Sequence, residues 1–111
     1  MHILQPTLFI RHHRALRAVA HNRQIWFCAQ DLGRLMGVHL SPRILEKLDD
    51  DQRLDACLEH AGRREEKALI SESGAYTMLV HHNIPENRAL RYWLTHEVVA
   101  AMWGRPGAML A

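Results

Sequence analysis

The spacing of apolar residues changes period along this chain and then changes back. Residues 15–20 (ALRAVA) alternate weakly, 25–28 (IWFC) form a short apolar run, and a polar stretch, His21-Asn22-Arg23-Gln24, separates them. Two such runs around a polar turn read as a β-hairpin. Residues 7–12 (TLFIRH) either extend its first strand or stand apart. From Ala29 the period becomes helical: Leu32, Leu35 and Met36 fall on one face, with Asp31 in the first turn and Gly37 placed for a left-handed cap. Ser41-Pro42 opens a second helix over 41–48 with Ile44, Leu45 and Leu48 as its apolar side, ending in Asp49-Asp50-Asp51.

Alternation then returns. Residues 54–60 (LDACLEH), a turn at Ala61-Gly62-Arg63 and residues 65–70 (EEKALI) predict a second hairpin, in competition with a helix over so short a segment. Ser71 or Ser73 caps a third helix carrying Tyr76, Leu79 and Val80. A fourth runs from Pro85 to Trp103 with Leu90, Trp93, Leu94, Val98, Ala101 and Met102 at helical spacing, stopped by Gly104, Pro106 and Gly107. Strands, two helices, strands, two helices is not a parallel βαβ series. The class expected is α+β: short β-hairpins with about four helices, a helix-turn-helix-like pair and a long C-terminal helix packed on the hairpins. Residues 1–13 are set apart as an N-terminal extension, 14–103 as the domain and 104–111 as a frayed tail.

At 111 residues the chain is one domain with its own core, and 48% hydrophobic with 23% charged residues fits a globular protein. No apolar run is long enough to span a bilayer, and the N-terminus lacks the pattern of a secretory signal. With only Cys28 and Cys57, no disulfide framework is expected, and the cytoplasm is the expected compartment. The net charge of +2 conceals an asymmetry. Residues 1–48 carry seven Arg or Lys against two acids, whereas 49–111 carry seven against ten. A basic first half suggests an anionic partner, most simply nucleic acid.

Catalysis and metal binding find little support. The nine histidines include His96-Glu97-Val98-Val99-Ala100, where a zinc helix would need a second histidine at Ala100. The adjacent pairs His12-His13 and His81-His82 point apart, and the cysteines form no CxxC. There is no GxSxG, P-loop or GxGxxG, and Cys28 sits in an apolar run as a buried thiol would. No enzyme activity, metal or cofactor is expected.

The stretch 29–48 has the grammar of a helix-turn-helix. Arg43 and Lys47 fall on the polar side of its second helix and Arg34 on that of the first. The following hairpin, placed like the wing of a winged helix, carries Arg63 and Arg64 at its turn. These five form the expected DNA surface, with Arg88 and Arg91 on the long helix as a secondary one. Trp26, Trp93 and Trp103 are alternative anchors for a protein partner. Trp26 and Trp93 fit core packing by their spacing, and Trp103, beside Gly104, is expected to be the most exposed.

Four stretches together resemble the BRO family N-terminal domain, shared by baculovirus repeated proteins and phage antirepressors. Ile25-Trp26-Phe27-Cys28-Ala29-Gln30-Asp31-Leu32 with Leu35-Met36-Gly37 is similar to its W-F-V-A-x-D-V…L-G opening. Ser41-Pro42-Arg43 resembles its NPR helix, with Ser for Asn. Leu69-Ile70-Ser71-Glu72-Ser73-Gly74-Ala75-Tyr76 resembles L-I-N-E-x-G-L-Y. Pro85-Glu86 and Leu90-Arg91-Tyr92-Trp93-Leu94-Thr95-His96-Glu97-Val98-Val99 resemble P-E-A…F-x-R-W-V-T-x-E-V-L. The match runs in order over residues 14–102. Where the family ends its long helix in a basic run, this chain has Ala101-Met102-Trp103-Gly104. Many members continue into a second, variable domain; a chain ending here fits a solo or a trimmed version. The resemblance implies a DNA-binding α+β module of phage or prophage regulators, acting on double-stranded DNA. The alternative partners are a repressor protein or a second copy of the chain, as a homodimer.

Overall fold

The computed structural model describes residues 2–82 and 85–104. Six strands form one sheet: β1 Ile3–Leu4, β2 Thr7–Arg11, β3 Arg14–His21, β4 Gln24–Cys28, β5 Arg53–His60 and β6 Arg63–Ser71, in the order β1-β5-β6-β4-β3-β2. Neighbours are antiparallel except β1, which lies parallel to β5 with Ile3 opposite Cys57. Three hairpins turn at His12-His13, Asn22-Arg23 and Ala61-Gly62, and all six of these residues have positive φ, from 51° to 78°. That is the type I′ geometry, whose twist matches the strands it joins.

The α+β class and both expected hairpins are present, with one addition. Residues 3–11, set apart as an extension, belong to the sheet. The reason is local: in TLFIR, Phe9 turns inward and packs against the main core, so the run gains from pairing with β3. His-His carries none of the usual turn residues, which is why that hairpin was not visible. Of the tail, residues 105–111 lie outside the described residues.

α1 (Ala29–Met36) ends as expected: Gly37, at φ 74°, and Val38 donate back to the carbonyls of Arg34 and Gly33 at 3.3 and 2.9 Å. Ser41 caps α2 (Pro42–Leu45) by accepting from the Ile44 amide at 3.3 Å. The expected helix over 41–48, however, is only this four-residue turn. Leu45 and Leu48 must both reach the core, and Asp49 then forms a capping box with Gln52 on a 3₁₀ turn (Asp50–Gln52) that delivers the chain to β5. One turn cannot lie along a DNA groove, so the helix-turn-helix expectation is corrected here; nor is the following hairpin a wing, since β5 and β6 sit inside the main sheet.

Ser71, of the two candidates, caps α3 (Glu72–His81) through the Gly74 amide at 3.1 Å. The long helix runs as α4 (Asn87–Trp93), a π-helical stretch (Leu94–Val99) and α5 (Ala100–Trp103). Of its buried residues, Leu90, Leu94, Val98 and Met102 recur every fourth position, with Val99 beside them. In a pure α-helix such a stripe would rotate by about 40° per step. The wider π turn offsets part of that drift and keeps the stripe on the core. The helix packs on α1 and α3 and reaches the sheet at β3. The Asn87 side-chain amide donates to the Leu79 and His82 carbonyls and so joins the end of α3 to the start of α4.

Side chains alternate across the sheet. Leu16, Ala18, Ile25, Phe27 and Ile70 face the helices and build the main core with Leu32, Met78, Leu94 and Val98. On the other face Val19, Trp26, Cys28, Ala56, Leu58 and Leu69 form a second cluster made of strand residues alone. The sheet curls over it far enough for the His2 ring, beside β1, to meet that of His21 on β3, tilted at 57° with centroids 4.4 Å apart. Trp26 lies in this second cluster, its Nε1 donating to the His21 carbonyl at 3.0 Å. Trp93 and Trp103 are both half-buried against the main core, so Trp103 is not the exposed aromatic; Tyr92 is, at 64%.

Candidate nucleic-acid interface

The register of the sheet creates a gap. β4 stops at Cys28, opposite Leu69, while β6 and β5 run on to the turn at Ala61-Gly62. On the other side, β3 and β2 run past the end of their pairing with β4 to the turn at His12-His13. Two β-ribbons therefore project from the same end of the sheet with nothing of β4 between them. α1 leaves β4 at this point and fills the gap.

Polar contacts hold α1 to both ribbons. On one side, Arg14 Nη1 donates to the Arg34 carbonyl at 2.5 Å; on the other, Lys67 Nζ donates to Gln30 Oε1 at 2.7 Å. Arg17 spans the gap. Its Nε and Nη2 donate to the two oxygens of Asp31 at 2.8 and 3.1 Å, its backbone N–H donates to Oδ2 at 3.0 Å, and its Nη1 lies 3.4 Å from Glu65. The hydrogen bond to Asp31 raises the Arg17 pKa still further, so this guanidinium is fixed in charge and committed to the fold.

Between α1, its trailing loop and β6 lies a groove of about 480 Å³ lined by Arg14, Gln30, Arg34, His39, Glu66 and Lys67. Three permanent cations and a histidine line it with Glu66, and Lys67 also lies 3.4 Å from the Glu65 carboxylate. Arg34 is 62% exposed and keeps only a 3.9 Å approach to Asp31. Among the described residues this is where the sheet and helices bring basic side chains around a single concavity.

The other expected site residues are dispersed. Arg63 is exposed at the ribbon tip, paired across the strands with His60. Arg64 is held by Glu59 at 2.6 Å, a hydrogen bond that also keeps the Glu59 carboxyl below its ordinary range. Arg43 and Lys47 are exposed on and just after α2, whose other side borders a concavity of about 610 Å³ containing Glu46, Asp50 and Asp55. Arg88 is exposed on the long helix, and Arg91 lies over the Tyr76 ring at 5.5 Å. Arg14, His39 and Lys67 were not among the expected residues. Arg14 immediately precedes the first predicted hairpin and Lys67 lies in the second, but only the sheet register reveals that both meet α1.

The model of the BRO family N-terminal domain matches residues 15–100. The chain belongs to the BRO family. Searches among curated proteins and among solved structures give no match. Membership in the BRO family points to a domain of the DNA-binding or antirepressor type.

Many BRO-like motif positions serve the fold. Asp31 clasps Arg17, and Ser41 and Ser71 cap helices. Tyr76 links α3 to the long helix: its hydroxyl donates to Glu72 at 2.9 Å and accepts from Thr95 at 2.7 Å, and burial pushes its pKa up. Arg34 and Arg43, beside these structural positions, remain exposed. Among the described residues no three His, Cys, Asp or Glu side chains converge as metal ligands, and no helix is long and apolar enough to cross a membrane.

Proposed function

We propose that this BRO-family chain is a non-catalytic DNA-binding regulatory domain of the antirepressor type, acting in the bacterial cytoplasm or nucleoid. Its phosphate-contacting surface is the groove between α1, its trailing loop and β6. The observation that supports this is the convergence of Arg14, Arg34, Lys67 and His39 around one concavity, with exposed Arg63 beyond it at a ribbon tip. A projecting two-stranded ribbon has the width to enter a major groove, while lysine and arginine at its base neutralise phosphates. Arg43 and Lys47, near Glu46 and Asp50, are the weaker part of the surface.

Fluorescence anisotropy with random duplex DNA tests this at two or more salt concentrations. Each phosphate contact removed flattens the plot of log K against log salt by about 0.9. Combined Arg34→Ala and Lys67→Ala is expected to flatten it by up to about twice that, and Arg43→Ala with Lys47→Ala by less. Equal binding by parent and the Arg34/Lys67 variant, both folded by circular dichroism, would overturn the groove as the DNA surface. A second reading, a module that binds a repressor protein, draws on the exposed Val80 and Tyr92 of α3 and α4. It is favoured if the parent fails to bind duplex DNA even at low salt.

A further inference from the structure

The two edges of the sheet are unlike. β1 offers only two residues, Ile3–Leu4. β2 is a continuous five-residue strand, paired residue by residue with β3 without a bulge. Among the described residues no backbone hydrogen bond from elsewhere reaches it. Natural edges are usually protected by shortness, charged side chains, an internal proline or a bulge. β1 has the first of these; β2 carries one charge, Arg11 at its end, and neither a proline nor a bulge. Its side chains on the curled face, Leu8 and Ile10, are instead apolar and 40% and 63% exposed.

The sequence of this edge is complementary to itself. Placed antiparallel to a second copy and centred on Phe9, Thr7-Leu8-Phe9-Ile10-Arg11 sets Leu8 against Ile10 of the other copy, twice, on the same exposed face. Phe9 meets Phe9 on the face that carries the helices. The strand's single charge is already engaged: Arg11 lies 3.5 Å from Glu86 and over the Trp93 ring at 5.8 Å, so no bare like-charge pair opposes the contact. A head-to-tail arrangement would have to use β1, where two residues give little pairing, and would leave open ends. The symmetric arrangement closes after two copies.

We propose that β2 is a homodimer interface, through which two copies join their sheets about a two-fold axis at Phe9. The partner is a second copy of this chain, recognised by backbone pairing and by the two Leu8–Ile10 contacts. The pairing does not depend on DNA and is measured without it, so its failure and that of the DNA reading are separable.

Sedimentation equilibrium over a dilution series tests it. The parent is expected to pass from one-chain to two-chain mass as concentration rises. Ile10→Lys, at an exposed position, should hold the chain at one-chain mass with an unchanged circular dichroism spectrum. The double variant L8E/I10K should restore the dimer, because the two-fold sets each new acid against a new base of the other copy. A parent that stays monomeric throughout, a dimer indifferent to Ile10→Lys, or a double variant that fails to re-associate would each overturn the proposal.

Discussion

Asp31 is 3% exposed, and its carboxylate accepts three hydrogen bonds from the backbone and guanidinium of Arg17. A pair so placed is costly to break from one side, because the remaining guanidinium is left largely buried with only the half-exposed Glu65 beside it. Asp31→Ala is expected to cost about 3–5 kcal/mol in urea unfolding. A second single-residue effect lies at the seam of the curled sheet, where the His21 ring lies against that of His2 and its Nε2 is buried without a partner. Burial, and then the charge of His2, lower the His21 pKa below the ordinary 6.5. The unfolded chain therefore takes up this proton before the folded one does. Stability is complete above that ordinary value and declines as pH falls below it, until the folded ring titrates as well. Thermal melts from about pH 7.5 to about pH 5 should show the decline, and His21→Gln should make it shallower.

At the scale of elements, the I′ turns carry a local cost. Ala61 sits at φ 52°, a region that favours asparagine or glycine over alanine. Ala61→Asn creates the Asn-Gly pair preferred in such turns. It is expected to stabilise the chain by about 0.5–1 kcal/mol, read as a higher melting temperature. Glycine works in the opposite sense inside α1: a Cβ on Gly33 would come within 2.5 Å of the Val38 carbonyl oxygen, so alanine there would push the trailing loop away. Elements with strong local signals were legible in the sequence. Asp31, Gly37 and Ser41 mark the boundaries of α1 and α2, and alternation marks β5 and β6. The true length of α2 was not legible, because Ile44, Leu45 and Leu48 have helical spacing whether they lie on one helix or on a turn that bends into a 3₁₀ segment. β2 was ambiguous because its turn, His12-His13, owes its left-handed geometry to the strands and not to its residue types.

At the scale of the molecule, what the sequence hid was adjacency. The charge asymmetry and the four BRO-like motifs were visible in the primary structure. The groove was not, because Arg14, Arg34 and Lys67 belong to three elements brought together by the point at which β4 ends. The parallel pairing of β1 with β5 carries a further consequence, for the order of events in folding. Each hairpin closes over a two-residue turn, a process of about 1–10 μs. Ile3 and Cys57 are separated along the chain by β2, β3 and β4, so their pairing closes a long loop. Such a contact contributes little to a transition state built from local pairs and much to holding the finished molecule. Leu4→Ala, which thins the second cluster at that strand, should therefore speed unfolding while leaving the folding limb of the chevron nearly in place. β1 would be the last strand to dock, and its release the first step by which the folded chain comes apart.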